Sequence, residues 1–221
     1  VAKNVAEALL AEAAAANEPP DQVMVFSLEM SRADVALRML ASETGIPSDD
    51  IRAGRISVAN GSTLLLARNY LRGLPLIIRD RKGMTLGDVR TEAMVGVRRK
   101  RVKLIVIDHL HRIAADAGRR GDELQRVSAA TEGLKNLAGL LNVPILLLAQ
   151  ASRRTETRED ARPKISDIRY AGEADADNVI LLWRPELYMP TTPPEQPARL
   201  TEAQRIDANT AWWAKRNAMK G

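Results

Sequence analysis

The sequence predicts an α/β fold: a mostly parallel β-sheet with helices on both faces. Three observations carry this expectation. Strand-like and helix-like stretches alternate along the 221 residues, which is the order of βα units. The strand-like stretches "VMVF", "LIVI" and "ILLLA" are apolar at every position, as strands buried on both faces must be. The stretches between them repeat apolar residues at helical spacing.

Each element follows from local signals. Residues 1–16 read as a helix, with Val1, Val5 and Leu9 four apart and Ala6 and Leu10 beside them. It has no capping residue before it. "NEPPDQ" is a turn, and Val23–Phe26 is the first strand. "SRADVALRMLASETG" reads as a helix capped by Ser31, with Asp34 in the capping-box position and Gly45 as its stop. "PSDDIRAGRIS" is a short charged helix or loop, residues 62–72 read as helix, and "PLIIRD" is a strand closed by charge. Thr85 caps a helix over about 86–100, and "KLIVIDHL" is a strand centred on Leu104–Ile107. A glycine-containing basic loop follows. The next helix carries Leu124, Val127, Leu134, Leu137 and Leu141 on one stripe, and leads to the strand "VPILLLAQ". "ASRRTETREDARPKISD" is an Arg-rich loop, "NVILLWR" a strand, "PELYMPTTPPEQPARL" an irregular excursion, and "TAWWAKRNAMKG" a strand running into a turn. On that reading Trp212 and Trp213 are core and strand-edge residues.

Composition narrows the function classes. There is no cysteine, which excludes disulfides and thiolate metal sites and fits a cytoplasmic protein. No stretch approaches the roughly 20 apolar residues of a membrane helix. The net charge of +5 is compatible with a polyanionic partner or with a solvated surface rich in Arg. Aromatic residues make up only 3%, so any nucleic acid is expected to be held through its phosphates rather than by base stacking.

The strand ends carry the chemistry. The first strand runs into Ser27-Leu28-Glu29, "LIVI" ends at Asp108, and "ILLLA" ends at Gln150. Ligands of parallel α/β sheets bind beyond the carboxyl ends of the strands, so these three side chains are expected on one rim. An acid after an apolar strand, as in "LIVID", matches the Walker B pattern, whose carboxylate holds Mg²⁺ against phosphate oxygens. A second carboxylate can take a proton from attacking water, and an amide can donate to a γ-phosphate. The P-loop pattern G-x-x-x-x-G-K-[ST] does not occur in the sequence. Since the opening helix is where such a loop leads, the loop is expected upstream of residue 1. The alternative, a chain without one that binds no nucleotide, stays open. His109 and His111 stand at alternate positions with no third ligand in sequence, which favours packing or surface roles over a metal.

Several blocks, in order, resemble the C-terminal, RecA-like motor domain of DnaB-type replicative DNA helicases. "VFSLEMS" is similar to the family's F-S-L-E-M segment, and "LIVIDHLHRI" to its L-I-x-I-D-Y-L-Q block. "LKNLAGLLNVPILLLAQASR" and "RPKISDIRYAGEADADNVILLWR" resemble two further blocks. The resemblance covers most of the chain and implies one RecA-like domain over residues 1–221, with the P-loop before it and the final strands after it. It implies ATP and Mg²⁺ as substrate and cofactor, with Glu29 as general base, Asp108 on Mg²⁺ and Gln150 sensing the γ-phosphate. "DIRYAG" resembles a channel loop that holds single-stranded DNA, which carries over Arg169 and Gly172, with Tyr170 where the family has Glu. Arg153 and Arg154 line the DNA side or a solvated loop. "AKRNAMKG" aligns with K-Q-R-N-G-P-x-G, which places Arg216 at the finger reaching a neighbouring subunit's ATP, with Lys215 beside Ala214, where the family has Lys. The "YAGEADADN" segment is two residues shorter than the family's. The implied partners are single-stranded DNA, further copies of the chain in a homo-hexamer, a primase and a helicase loader. Another RecA-like ring ATPase, or a non-catalytic helicase-like module, are the alternative readings.

Overall fold

A computed structural model describes residues 1–113, 122–150, 162–168, 175–184, 192–193 and 200–218. Four strands form one parallel sheet in the order β2-β1-β3-β4. They are β1 (Gln22–Ser27), β2 (Leu76–Arg79), β3 (Val102–Asp108) and β4 (Ile145–Leu147). The helices between them are α1 (Ala2–Ala16), α2 (Arg32–Thr44), α3 (Ser48–Arg52), α4 (Val58–Gly73), α5 (Leu86–Lys100) and α6 (Glu123–Leu141).

Caps set the helix ends as their residues require. Ser31 Oγ accepts from the Asp34 N–H at 3.1 Å, and Gly45 closes α2 in the left-handed region at φ 71°. Thr85 and Asp88 form a reciprocal capping box at the start of α5, and Asp122 caps α6.

Side-chain alternation divides the core into two layers. Met24, Phe26 and Leu28 of the β1 segment and Ile105 and Ile107 of β3 face α5 and α6, meeting Val89, Ala93, Val127, Leu134 and Leu137. Val23, Val25, Leu104 and Val106 point the other way, onto α1, α2 and α4 through Ala6, Leu9, Met39 and Leu71. The sheet is covered on both faces, which is why its strands read as unbroken apolar runs. On α6, Val127, Leu134 and Leu137 are buried, whereas Leu124 of the expected stripe is exposed.

The described residues fall into two compact units, the first containing 1–150 with 175–177 and the second 162–168 with 178–218. In the first, Thr131 donates to Asp175 at 2.5 Å and Lys135 pairs with Asp177. In the second, Arg162 lies 5.1 Å from the Trp183 ring, and α7 spans Glu202–Ala218.

Two expectations are corrected here. Residues 178–184 form no strand among the described residues. An apolar run becomes a strand only beside a hydrogen-bonding neighbour, and within its own unit none is described; Ile180 and Leu182 stay exposed. Residues 210–218 are helical, not extended. The helix is started by a reciprocal cap, Thr201 N–H to Gln204 Oε1 at 3.0 Å and Gln204 N–H to Thr201 Oγ at 3.4 Å. Ala203, Ala208, Ala211, Ala214 and Ala218 then favour helix. Trp212 and Trp213 therefore pack edge to face on α7 at 4.8 Å, and Trp213 is exposed rather than a strand-edge residue.

Candidate nucleotide site at the sheet rim

From β1 the chain goes to one side for β2, then crosses back for β3 and continues outward to β4. The order reverses between β1 and β3, and at such a switch point the two flanking connections part and leave a crevice beyond the strands' carboxyl ends. Glu29 follows β1 and Asp108 ends β3, the two strands that flank this switch point.

Local packing presents both carboxylates. Ser27, buried, pairs in register with Asp108 and donates its Oγ–H to the Met30 carbonyl at 2.8 Å, turning the chain. Leu28 anchors in the core while its N–H donates to the Asp108 carbonyl at 2.7 Å. With Leu28 pinned inward, Glu29 is turned out, its side chain 47% exposed. Asp108 ends β3 with a side chain 44% exposed, and the peptide to His109 is cis.

His109 is buried, with Nδ1 3.2 Å from Glu29 Oε2 and 3.9 Å from Asp108 Oδ1. A 3₁₀ turn over Leu110–Arg112 then reverses the chain. Buried Leu110 and Ile113 hold it, and the Leu110 N–H donates to the Leu148 carbonyl at 2.9 Å. This returns Arg112 to Glu29, where Nε donates to the same Oε2 at 3.4 Å. The guanidinium, with a smaller contribution from His109, holds the Glu29 carboxyl below the usual glutamate range against the opposing effect of desolvation. At β2 the outgoing Asp80 accepts from the Arg32 N–H at 2.7 Å, tying that strand end to α2.

Gln150 lies three residues beyond β4, exposed and on the same rim by strand order. Glu29 and Asp108 are thus brought together through His109, and Gln150 shares their edge of the sheet. Arg153, Arg154, Arg169, Tyr170 and Gly172 lie outside the described residues, as do the side chains of Lys215 and Arg216 on α7. Sequence reasoning missed Arg112. Its contact depends on a single 3₁₀ turn, which leaves no periodic trace.

Among the described residues no three of His, Cys, Asp and Glu gather as a metal cage. Mg²⁺ needs none, because it is commonly held by one or two carboxylates with water and phosphate oxygens completing its shell. The outward carboxylate of Asp108 at the switch point fits that requirement. The two imidazoles, with ring centroids 5.8 Å apart, do not add up to a metal site.

The chain matches the model of the DnaB-like helicase C terminal domain over residues 2–215. It belongs to that family. It is 37% identical over 175 residues to the replicative DNA helicase DnaB of Rickettsia bellii (strain RML369-C), covering 78% of this chain and 35% of that protein. To DnaB of Leifsonia xyli subsp. xyli (strain CTCB07) it is 35% identical over 188 residues, 84% of this chain and 41% of the relative. The chain therefore spans well under half the length of these relatives. Among solved structures it is similar to one described as an ATPase domain, with a TM-score of 0.70 and 28% identity over 76% of this chain and 61% of that one. It is also similar to a DnaB-like replicative helicase described with its interactions with primase, with a TM-score of 0.64 and 29% identity over 71% of this chain and 39% of that one. The parallel sheet is thus the RecA-like sheet of a DnaB-like helicase domain, a fold that uses nucleotide.

Proposed function

We propose that the 221 residues belong to one ATP-hydrolysing motor domain, its P-loop upstream of residue 1, of a cytoplasmic, homo-hexameric replicative helicase. It moves along single-stranded DNA and separates the duplex. The observation that carries this reading is the meeting of Glu29 and Asp108 at the β1/β3 switch point in a chain of the DnaB-like family.

In this mechanism Glu29 takes the proton from a water whose oxygen attacks the γ-phosphorus, while the bond to the β–γ bridging oxygen breaks. Asp108 would hold Mg²⁺, which would supply charge neutralisation at the phosphate oxygens. Gln150 donates its amide N–H to the γ-phosphate and so senses whether it is present. Arg216, with Lys215 beside it, reaches the ATP of the adjacent subunit and stabilises the developing charge. Arg153, Arg154, Arg169, Tyr170 and Gly172 serve the single-stranded DNA side. The relative solved with its interactions with primase supports a primase as partner, and a helicase loader is the second.

The test is Glu29→Gln in the intact protein, assayed for ATP binding, DNA-stimulated hydrolysis and unwinding of a forked duplex. The amide keeps the shape and an acceptor oxygen but is no base. ATP binding is expected to persist while hydrolysis falls about 10²–10⁴-fold, the usual worth of a general base, and unwinding stops. Hydrolysis at the wild-type rate removes Glu29 from the reaction. Hydrolysis without unwinding in the wild-type protein assigns the domain to another kind of ring ATPase.

A further inference from the structure

We propose that Arg112 is a latch on Glu29: it engages the carboxylate in the resting motor and must let go before Glu29 acts as base. The inference rests on the reading of Glu29 as the base and adds a restraint built into the same rim.

The two groups that hold Glu29 differ in kind. His109 is buried at the tip of β3 and has little freedom; it fixes where the carboxylate sits. Arg112 stands on a one-turn helix at the surface with its side chain 55% exposed, and among the described residues its guanidinium bonds to Glu29 alone. Both contacts fall on one oxygen, Oε2. Opening the Arg112 contact thus leaves the carboxylate on the rim, still faced by His109.

The latch matters because of what a base needs. A guanidinium is always charged. Beside a carboxylate it stabilises the ionised form and so lowers its affinity for a proton, and Arg112 is the largest such influence on Glu29. It also occupies a lone pair that an attacking water needs. Exposed pairs of this type favour the closed state only about one- to fivefold. That is enough to hold a large share of resting molecules inactive and weak enough for bound DNA or a subunit movement to undo. A pair that merely decorates the surface leaves turnover unchanged on removal.

The experiment measures steady-state ATP hydrolysis of the intact protein without DNA for wild type, Arg112→Gln, Arg112→Lys and Glu29→Gln. Releasing the latch is expected to raise kcat about two- to fivefold in Arg112→Gln with the KM for ATP unchanged. Arg112→Lys, which keeps a cation, is expected to restore much of the restraint. A second readout needs no turnover. In nucleotide-free protein, the Arg112 Nε–H resonance, assigned by its loss in Arg112→Gln, is expected to shift in Glu29→Gln. An unchanged or lower kcat in Arg112→Gln, or an Nε–H signal indifferent to Glu29→Gln, overturns the latch. If Glu29→Gln is inactive while Arg112→Gln matches wild type, the latch fails and the base assignment stands. If Glu29→Gln hydrolyses ATP normally, both fall together.

Discussion

Replacing Phe26 by Ala tests whether the sheet rim is built from the core outward. Phe26 is fully buried near the carboxyl end of β1, paired with Arg79 of β2 on one side and Ile107 of β3 on the other. Its ring packs into the layer of α5 and α6. A buried Phe removes roughly 150–250 Å² from water, which at about 25 cal/mol per Å² is an upper value of about 4–6 kcal/mol. Measured Phe-to-Ala costs of about 3–5 kcal/mol agree. Against a total stability of about 5–15 kcal/mol, this is a large fraction. At about 2–4 °C per kcal/mol for a domain of this size, Tm falls by roughly 6–20 °C. Urea unfolding followed by far-UV circular dichroism gives the free energy, and a thermal scan gives Tm. Phe26→Leu, which refills part of the space, is expected to lose less than half as much. A loss under about 1 kcal/mol for Phe26→Ala would show that the β1 end is not enclosed between α5, α6 and the neighbouring strands, and the account of how Leu28 turns Glu29 outward fails with it.

Two further predictions follow from single contacts. Ser27→Ala removes the bond to the Met30 carbonyl; stability is expected to fall by about 1 kcal/mol, and kcat by up to about 100-fold as Glu29 loses its aim, with ATP binding little changed in a direct titration. The Asp88 carboxyl is held below the usual aspartate range, first by the Thr85 N–H and next by Arg81, and Asp80 likewise by the Arg32 N–H. A depressed carboxylate contributes stability that is complete above its unfolded value of about 4 and is lost as pH falls through the folded value. Wild-type stability in urea is therefore expected to drop between pH 7 and about pH 3, and Asp88→Asn to show a smaller drop.

Much of this molecule was legible because its signals are local or periodic. Val23–Phe26 and Leu104–Ile107 lie within observed strands, and Thr85 opens α5 where its capping box puts it. The end of each apolar run marked the rim, and the structure adds that Ser27 and Asp108 are register partners. What the sequence hid depends on partners or on competition. "NVILLWR" has the composition of a strand, but composition supplies no neighbour. Residues 210–218 read as a strand taken alone, whereas Thr201 and Gln204, a capping box nine residues before Thr210, decide for helix. The expectation that Glu29 and Asp108 share a rim needed only strand ends. Their mutual arrangement needed the reversal in strand order and the Arg112 turn, both set by tertiary structure.

The hydrogen bond from the Leu28 N–H to the Asp108 carbonyl, at 2.7 Å, welds the two strand tips just where the acidic side chains emerge. A twist or tilt of this part of the sheet therefore carries both along as a single rigid piece. What stays free at this edge is the side chains themselves, each about half exposed, on a backbone whose two tips move as one.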